Sequence, residues 1–370
     1  IDENRSVIIT NVENTKFETY ITAQIVTKDL TYKEYSEKDP LKYNSFIITN
    51  KDGEEISYIV YDGEDKGINC IFFENDHLKA KIIPEQGTKL CSLVSKKNGH
   101  EYIYQGKTEK YRFSQYGGNF VEGECAGVDE MFPTIDECYY MGGPWSGSYL
   151  PDHGEVWARK WNEMREKESV LFQISGIQMP YELKKKVIIH KNHIRFEYTA
   201  ENRTEFPLNY IWASHMMLAA EEGCRFEFPD KMKKCYTTMS DSKTIGRYGD
   251  TFQYPVVTNA AGEIYDVSTY RGMNADDYQK FYFADKFPKS EGWAAICYPD
   301  EKKIKITFPE QEVPYLGAIQ AEGGSLDLRC MFLEPCTAAF DSPNIAKLHQ
   351  MESILAPYEI KKWYLDIEIR

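Results

Sequence analysis

The sequence predicts an all-β protein built from large antiparallel sheets, with few and short helices. Three observations carry this prediction. Apolar and polar residues alternate over several segments, and this period of two is typical of a half-buried strand. Turn-forming pairs such as Asn98-Gly99 separate these segments. Helical periodicity is nearly absent, although the 370 residues are enough for a sizeable core.

The clearest strand patterns lie in the second half of the chain. Segment 193–202 reads HIRFEYTAEN, with an apolar residue at every second position. Segments 302–308 (KKIKITF) and 362–369 (KWYLDIEI) alternate in the same way. Each is expected to place one face on a core and the other toward solvent. An all-β fold of this size must hide its sheet edges, either by closure or by stacking two large sheets.

The best helix signal is the segment DSPNIAKLHQ. Ser342 can cap a helix there and Pro343 can take its first position, so we expect one short helix. Residues before about Ile59 are polar and contain weaker strand patterns. We therefore expect a single domain over residues 1–370, with residues 1–58 as an N-terminal β extension packed on it.

Composition excludes several classes of protein. The formal net charge of −14 argues against binding to nucleic acid or to an anionic membrane surface. No apolar run approaches the length of a membrane span, and the first ten residues do not resemble a signal peptide. Nine cysteines are scattered without a Cys-x-x-Cys pair, which favours a reducing, cytoplasmic location. Neither a metal nor a cofactor is expected.

Three segments carry residues suited to acid–base chemistry. His153 lies in PDHGEVW, and His215 ends the apolar stretch NYIWAS, which contains Trp212. Glu334 follows Met-Phe-Leu and precedes a proline, and such a site desolvates a carboxylate and tends to raise its pKa. Two histidines and a glutamate are the groups that proton transfer near neutral pH uses. Taken singly, each also fits a purely structural role.

Together these segments resemble the aldose 1-epimerase, or galactose mutarotase-like, family. The resemblance extends from about Phe72 to the C terminus. Segment 75–104, NDHLKAKIIPEQGTKLCSLVSKKNGHEYIY, is similar to the family's opening, and GVDEMFPTI is similar to its Phe-Pro segment. LPDHGEVWARKW, WASHMML and FLEPCTAAFDSP then resemble the two histidine motifs and the glutamate motif, in family order.

The resemblance implies a β-supersandwich and an isomerase that interconverts the α and β anomers of an aldose. By motif, Glu334 would be the general base that takes the proton of the anomeric hydroxyl. His215 would be the general acid that protonates the ring oxygen. His153 would hold the ring oxygen or a hydroxyl. The expected partner is therefore a small sugar, and neither cofactor nor metal is implied.

The sequence departs from the family after the Phe-Pro segment. Well-studied members carry a Gly-Arg pair there, and its arginine touches sugar hydroxyls, whereas this chain has Asp136-Glu137. The change disfavours plain galactose, sugar phosphates and uronates, and leaves neutral or amino-bearing sugars. The candidate sugar contacts are Asp129, Glu130, Asp136, Glu137, Trp212, Asp285 and Gln320.

Two other functions stay open. Without the arginine, the protein could bind or sense a sugar without catalysing a reaction. It could also be related to glycoside hydrolases or lyases of the same fold. Hydrolysis needs a second carboxylate about 5–10 Å from the first. The candidates for it are Asp129, Glu130, Asp136 and Glu137.

Overall fold

The computed structural model describes residues 6–14, 19–26, 43–49, 55–166, 169–238 and 242–370. These residues form 28 strands, four short 3-10 turns and one α-helix, which confirms the all-β prediction. The strands are β1 Ser6–Asn14, β2 Thr19–Val26, β3 Tyr43–Thr49, β4 Glu55–Asp65, β5 Ile68–Glu74, β6 Leu78–Ile83, β7 Lys89–Ser95, β8 Val128–Met131, β9 Cys138–Tyr139, β10 Tyr149–Leu150, β11 Asn162–Glu166, β12 Ser169–Ser175, β13 Tyr181–His190, β14 His193–Asn202, β15 Leu208–Tyr210, β16 Ala213–Ala219, β17 Arg225–Glu227, β18 Lys234–Thr237, β19 Thr251–Gln253, β20 Val256–Thr258, β21 Ile264–Asp266, β22 Asp277–Phe283, β23 Trp293–Cys297, β24 Lys303–Thr307, β25 Tyr315–Gly323, β26 Leu328–Cys336, β27 Ser353–Leu355 and β28 Ile360–Ile369.

Two large antiparallel sheets dominate the molecule. One has twelve strands in the order β19-β18-β22-β25-β26-β16-β8-β7-β6-β5-β4-β3. The other has eight strands in the order β11-β12-β13-β14-β28-β24-β23-β17. Residues of both sheets, such as Leu218 and Phe281 of the larger and Phe196 and Leu365 of the smaller, belong to one buried apolar cluster. The sheets therefore stack face to face, which is the second of the two arrangements expected for an all-β chain of this size.

The three segments singled out by their alternation are neighbouring strands. They form β14, β28 and β24 of the eight-stranded sheet, and β28 pairs with both of the others. Every second residue of β14 is buried, whereas the residues between them stay partly exposed. The central strands β25 and β26 of the larger sheet differ, because nearly all of their residues are buried. Loops cover the second face of that sheet, and the candidate site lies there.

The predicted helix is also confirmed. It is α1, Pro343–Leu348, and the Ser342 side chain accepts a hydrogen bond from the backbone N of Ile345 at 3.4 Å. In the part of the chain that the structure describes, no helix has the length and apolar character needed to cross a membrane.

The N-terminal segment contributes strands to two sheets. Among the described residues, β1 and β2 pair only with each other, whereas β3 joins the edge of the twelve-stranded sheet through β4. The predicted packing of an extension over residues 1–58 stays a prediction. Residues 1–5, 15–18, 27–42 and 50–54 lie outside the described residues.

A buried ionic group ties the two sheets together. Glu130 on β8 accepts hydrogen bonds from the Tyr198 hydroxyl at 2.8 Å and from the Trp212 indole N–H at 2.9 Å. Its carboxylate also lies 2.8 Å from the Lys185 Nζ atom, and both side chains of this ion pair are fully buried. Tyr198 and Lys185 belong to the smaller sheet. A buried charge is tolerated when it is paired and hydrogen-bonded in this way.

Glu130→Ala is expected to lower the free energy of unfolding by about 3–5 kcal/mol, because the Lys185 ammonium would stay buried without its partner. Urea denaturation followed by tryptophan fluorescence measures the change. Glu109→Ala, at an exposed position, is the matched control and should change stability by less than about 0.5 kcal/mol. Equal effects of the two substitutions would contradict a structural role for the Glu130 pair.

Candidate functional site

Strand register brings acid–base side chains into one row across the centre of the twelve-stranded sheet. His215 on β16 pairs with Asp129 on β8. The register of β16 with β26 sets His215 beside Glu334. Glu334 in turn pairs with Gly317 of β25. The His215 Nε2 atom lies 3.6 Å from Glu334 Oε1, so the two side chains share the face that points away from the smaller sheet.

Gly317 makes room for the carboxylate of Glu334. A Cβ atom at this position would lie 2.8 Å from Glu334 Oε2 and 3.0 Å from the ring of Tyr282, the next residue in the row. Both distances are too short for ordinary van der Waals contact. A glycine in the middle of a strand weakens it, so its presence here marks a close approach of side chains.

The backbone around His153 is fixed against the Phe-Pro segment. The His153 N–H donates to the carbonyl of Ile135 at 2.6 Å. His153 itself has a left-handed backbone, with φ at 59°. At the next residue, Gly154, a Cβ atom would lie 2.2 Å from the carbonyl oxygen of Phe132. The Asp-His-Gly sequence therefore forms a tight loop that needs a glycine and sets the direction of the histidine.

Asp152 orients the imidazole of His153. Its Oδ1 atom lies 2.7 Å from His153 Nδ1. The ring of His153 meets that of His215 edge to face, with centroids 4.9 Å apart. The two imidazoles and the Glu334 carboxylate therefore occupy one space above the sheet, as the sequence predicts for a common site.

Several polar atoms in this space lack hydrogen-bond partners in the described part of the protein. Within the described residues, His153 Nε2, His215 Nδ1 and both carboxylate oxygens of Glu334 are buried and have no hydrogen-bond partner. Buried polar atoms in proteins are nearly always hydrogen-bonded. Four exceptions at one place indicate a binding site for a polar ligand.

Burial shifts the two acid–base groups in opposite directions. Desolvation raises the pKa of Glu334, and the nearby Lys280 ammonium opposes this shift. Desolvation lowers the pKa of His215 well below its ordinary value, and the charges of His153 and Lys280 add to the effect. Both neutral forms are favoured, because each charged form loses its hydration. Burial thus makes transfer of a proton from the histidine to the glutamate more favourable than between the same groups in water.

Phe120 closes the space from the outside. Its ring stacks on that of His153 with centroids 4.2 Å apart. The rings of Phe120 and His215 meet edge to face, with centroids 4.8 Å apart. The Phe120 backbone N–H donates to Asp152 Oδ2 at 2.9 Å. His153 is 9% exposed, His215 6% and Glu334 0%. The three groups converge, but in a covered space.

A second fully buried ion pair borders the site. Asp129, beside His215 in the row, lies 3.1 Å from the Lys89 Nζ atom. The same ammonium donates to the carbonyls of Glu124 and Ala126, both at 2.8 Å. Burial raises the pKa of Asp129 even so. Asp129 is thus on the site face, with its charge balanced by the protein.

Sequence reasoning missed two residues beside Glu334. The Lys280 Nζ atom on β22 lies 3.4 Å from Glu334 Oε2 and 2.7 Å from Asp341 Oδ1. The Tyr282 hydroxyl donates to the same Asp341 oxygen at 2.7 Å. A lone lysine within the strand DYQKFYF was the signal for Lys280, and Asp341 is part of the segment FLEPCTAAFDSP. Phe120 gave no comparable signal, because it lies in a loop without periodicity.

Several predicted sugar contacts are not brought to this space. Glu130 and Trp212 bond to each other between the sheets. Gln320 lies on that same opposite face, where its amide accepts a hydrogen bond from Gln279 at 3.3 Å. Successive side chains point to opposite faces of a sheet, so a residue next to one that faces the site faces away from it.

The remaining predicted contacts are exposed. Asp285 lies beyond the end of β22, at the surface. Glu137 accepts a hydrogen bond from the Tyr149 hydroxyl on the outside of the molecule. Asp136 lies nearer, because its backbone N–H donates to the carbonyl of Asp341 at 2.7 Å. Among these three, only Asp136 belongs to the rim of the site.

Comparison with known proteins identifies both a sequence family and a fold. The model of a family described as a domain of unknown function (DUF5107) matches residues 56–264, more than half of the chain. No curated protein matches the chain.

Solved structures share the fold at low sequence identity. A candidate aldose 1-epimerase from Klebsiella pneumoniae is 14% identical with a TM-score of 0.64, over 89% of this chain and 91% of that one. A galactose mutarotase-like protein from Clostridium acetobutylicum is 14% identical with a TM-score of 0.60, over 84% and 98%. Another from Lactobacillus casei is 18% identical with a TM-score of 0.54, over 81% and 100%. The fold is therefore galactose mutarotase-like, which confirms the predicted sandwich.

Phe120→Ala is expected to expose His153, since the phenyl ring covers the imidazole. Diethyl pyrocarbonate, which modifies accessible imidazole nitrogens, should then react with His153 several-fold faster, as peptide mass spectrometry can measure. Phe113→Ala removes an exposed ring from the same loop and should leave the rate unchanged. A His153 rate that is the same in both variants and the unmodified protein would show that Phe120 does not close the site.

Proposed function

The chain belongs to the family described as a domain of unknown function (DUF5107), and for this member we propose a mutarotase activity, the interconversion of the α and β anomers of an aldose. One observation carries the proposal: buried, unpartnered polar atoms of Glu334, His215 and His153 meet in one space. A carboxylate and an imidazole 3.6 Å apart can hold a sugar hydroxyl and the ring oxygen after a small separation.

The proposed reaction moves protons and electron pairs only. Glu334 takes the proton of the anomeric hydroxyl. A carbonyl forms at C1 as the bond between C1 and the ring oxygen breaks. The electron pair of the broken bond goes to the ring oxygen, which takes a proton from His215. Rotation about C1–C2 presents the other face of the aldehyde, and the same steps run in reverse. Protein and sugar together gain and lose nothing.

The shifts of the two pKa values suit this reversible exchange. Burial raises the pKa of Glu334 and lowers that of His215. Transfer of a proton from the histidine to the glutamate is therefore more favourable than between the same groups in water. In the reactive form the pair holds one proton on the histidine before ring opening, and on the glutamate afterwards.

His153 serves as a fixed hydrogen-bonding partner of the sugar in this proposal. Asp152 holds its Nδ1 side, so Nε2 is available for a hydroxyl or the ring oxygen. A pyranose reaches this atom only when Phe120 moves off the ring. The 3-10 turn Phe120–Glu122 lies between Gly117 and Gly123, and Gly117 has a φ of 76° that favours glycine. Closure of the turn would then exclude water from the reacting sugar.

The rim favours neutral or amino-bearing sugars. The carboxylates of Asp152 and Asp341 line the space, and Asp136 lies at its edge. A phosphate or uronate group would meet like charges there, which costs affinity. The acidic character of the Asp136-Glu137 pair therefore matches that of the other carboxylates around the site.

Glycoside hydrolysis is supported less well. The carboxylate that lies near Glu334 is Asp341, and both contact the same Lys280 ammonium. That ammonium occupies the gap in which a hydrolase places the glycosidic bond. Three of the carboxylates considered do not fit either, since Glu130 lies between the sheets, Asp129 pairs with Lys89 and Glu137 bonds to Tyr149 on the outside.

Glu334→Gln and His215→Asn should each slow anomer exchange by about 100-fold to 10,000-fold, because each removes one proton carrier. Saturation-transfer NMR on a panel of neutral and amino aldoses measures the exchange above the spontaneous rate. Glu137→Gln, on the exposed neighbour of the rim, is the control and should retain activity. Unchanged exchange in Glu334→Gln would rule out the assigned mechanism. Sugar binding without faster exchange would point instead to a sugar-binding protein.

The rate should depend on pH as a narrow bell. Activity needs Glu334 ionised, so it rises with pH through the raised pKa of that carboxyl. It also needs His215 protonated, so it falls as pH rises through the lowered imidazole pKa. The acidic limb of kcat/KM should therefore lie above the ordinary pKa of a glutamate, and the basic limb below the ordinary pKa of a histidine. A plateau extending through pH 8 would contradict this assignment.

A further inference from the structure

We infer that Lys280 is a positioning residue that keeps the buried Glu334 carboxylate ionised and in place, and that Asp341 holds Lys280 for this purpose. The inference rests on the proposed function, in which Glu334 is the general base. A carboxylate with no exposure to water tends to be protonated, and so unable to accept a proton, unless a fixed charge compensates for its lost hydration.

The position of Lys280 in the sheet suits this role. β22 presents Lys280 and Tyr282 on the site face, two residues apart. Lys280 pairs with Ile319 of β25, which pairs with Phe332 of β26. Each of these residues lies two positions along its strand from the row that contains Glu334. The lysine side chain is 9% exposed, and its Nζ atom lies 5.7 Å from the centroid of the Tyr282 ring.

Asp341 fixes the end of the lysine side chain. Its Oδ1 atom lies 2.7 Å from Lys280 Nζ and accepts a hydrogen bond from the Tyr282 hydroxyl at 2.7 Å. The ammonium is thus held from one side by Asp341, while Glu334 Oε2 lies 3.4 Å away on another. Because Oε1 of the same carboxylate faces His215, the carboxylate lies between a fixed cation and the proposed proton donor.

Lys280 stays charged in this environment. Burial alone would lower its pKa, but the carboxylates of Asp341, Glu334 and Asp136 outweigh burial and raise the pKa well above the ordinary value. A permanent ammonium has no free electron pair, so Lys280 does not attack a sugar carbonyl. Its effect on the reaction passes through Glu334.

The surroundings of Glu334 contain few other charges that could replace Lys280. Among the described residues, Lys280 is the one lysine or arginine in ion-pair contact with Glu334. Asp341 opposes its effect on Glu334, and the histidines carry charge only when protonated. The titratable groups that interact with Glu334 are Lys280, Tyr282 and Tyr278 of β22, His215 of β16, His153, Asp341 and Cys336.

The direct test is the titration of Glu334 itself. Protein labelled with 13C at the glutamate side-chain carboxyl is titrated by NMR, and the Glu334 signal is assigned as the one lost in Glu334→Gln. Lys280→Met should raise the titration midpoint of Glu334 by about one pH unit or more, a tenfold loss of carboxylate at a given acidic pH. Lys280→Arg keeps the charge and should restore most of the original midpoint.

A second variant and a control complete the experiment. Lys280→Gln removes the charge but keeps a hydrogen-bond donor for Asp341, and it should titrate as Lys280→Met does if that variant folds poorly. Lys234→Met removes an exposed lysine from the adjacent strand β18 and should change nothing. A Glu334 midpoint that stays the same in the neutral variants would overturn the inference.

Activity measurements separate this inference from the proposed function. If both hold, the acidic limb of the kcat/KM profile should move to higher pH in Lys280→Met and Lys280→Gln, and return in Lys280→Arg. A shifted Glu334 titration in a protein without anomer exchange would support the role of Lys280 and reject the proposed function. Normal exchange with an unmoved acidic limb would reject the role of Lys280 alone.

Discussion

Strand register in the twelve-stranded sheet is the constraint on which the site depends. Side chains of a strand alternate between faces, so a slip of one residue would turn Glu334 and His215 toward the smaller sheet. The pairing of β26 with β16 and β25 fixes both residues in one row. Gly317 in the same row leaves room for the carboxylate. The large core between the sheets therefore contributes to the site mainly by fixing this alignment.

Two adjacent carboxylates on β8 show how strand alternation gives similar groups different surroundings. Asp129 faces the site and Glu130 faces the smaller sheet, and each carboxylate is fully buried beside a lysine. Glu130 has its hydrogen bonds completed by Tyr198 and Trp212, so it stabilises the contact between sheets. Glu334 differs from Glu130 in that its oxygens lack hydrogen bonds from the described residues, and the oxygens of Asp129 lack them too. Complete hydrogen bonding therefore separates the structural Glu130 from the two carboxylates that face the site.

The sequence was sufficient for the fold class, and its motifs pointed to three residues that the structure brings together, but it did not reveal their surroundings. Period-two alternation identified β14, β24 and β28, and the Ser342-Pro343 pair identified the helix, because these signals are local. The motif order brought His153, His215 and Glu334 together, whereas each histidine alone was ambiguous. Their roles in catalysis stay a prediction.

The remaining differences come from facts that the sequence does not contain. Alternation says that Glu130 and Asp129 face opposite sides, but only the sheet order says which side carries the site. Trp212 and Gln320 are predicted sugar contacts, but both lie on the other face. Lys280 reaches Glu334 across β25 from a strand about fifty residues earlier, a contact set by topology. The covering of the site by Phe120 depends on how a loop folds back.

A crystal structure of the protein soaked with a neutral aldohexose such as glucose tests the central claim most directly. The account predicts a pyranose between Glu334 and His215, with its anomeric oxygen about 3 Å from the glutamate and Phe120 displaced from His153. A sugar bound elsewhere while Phe120 still stacks on His153 would contradict it.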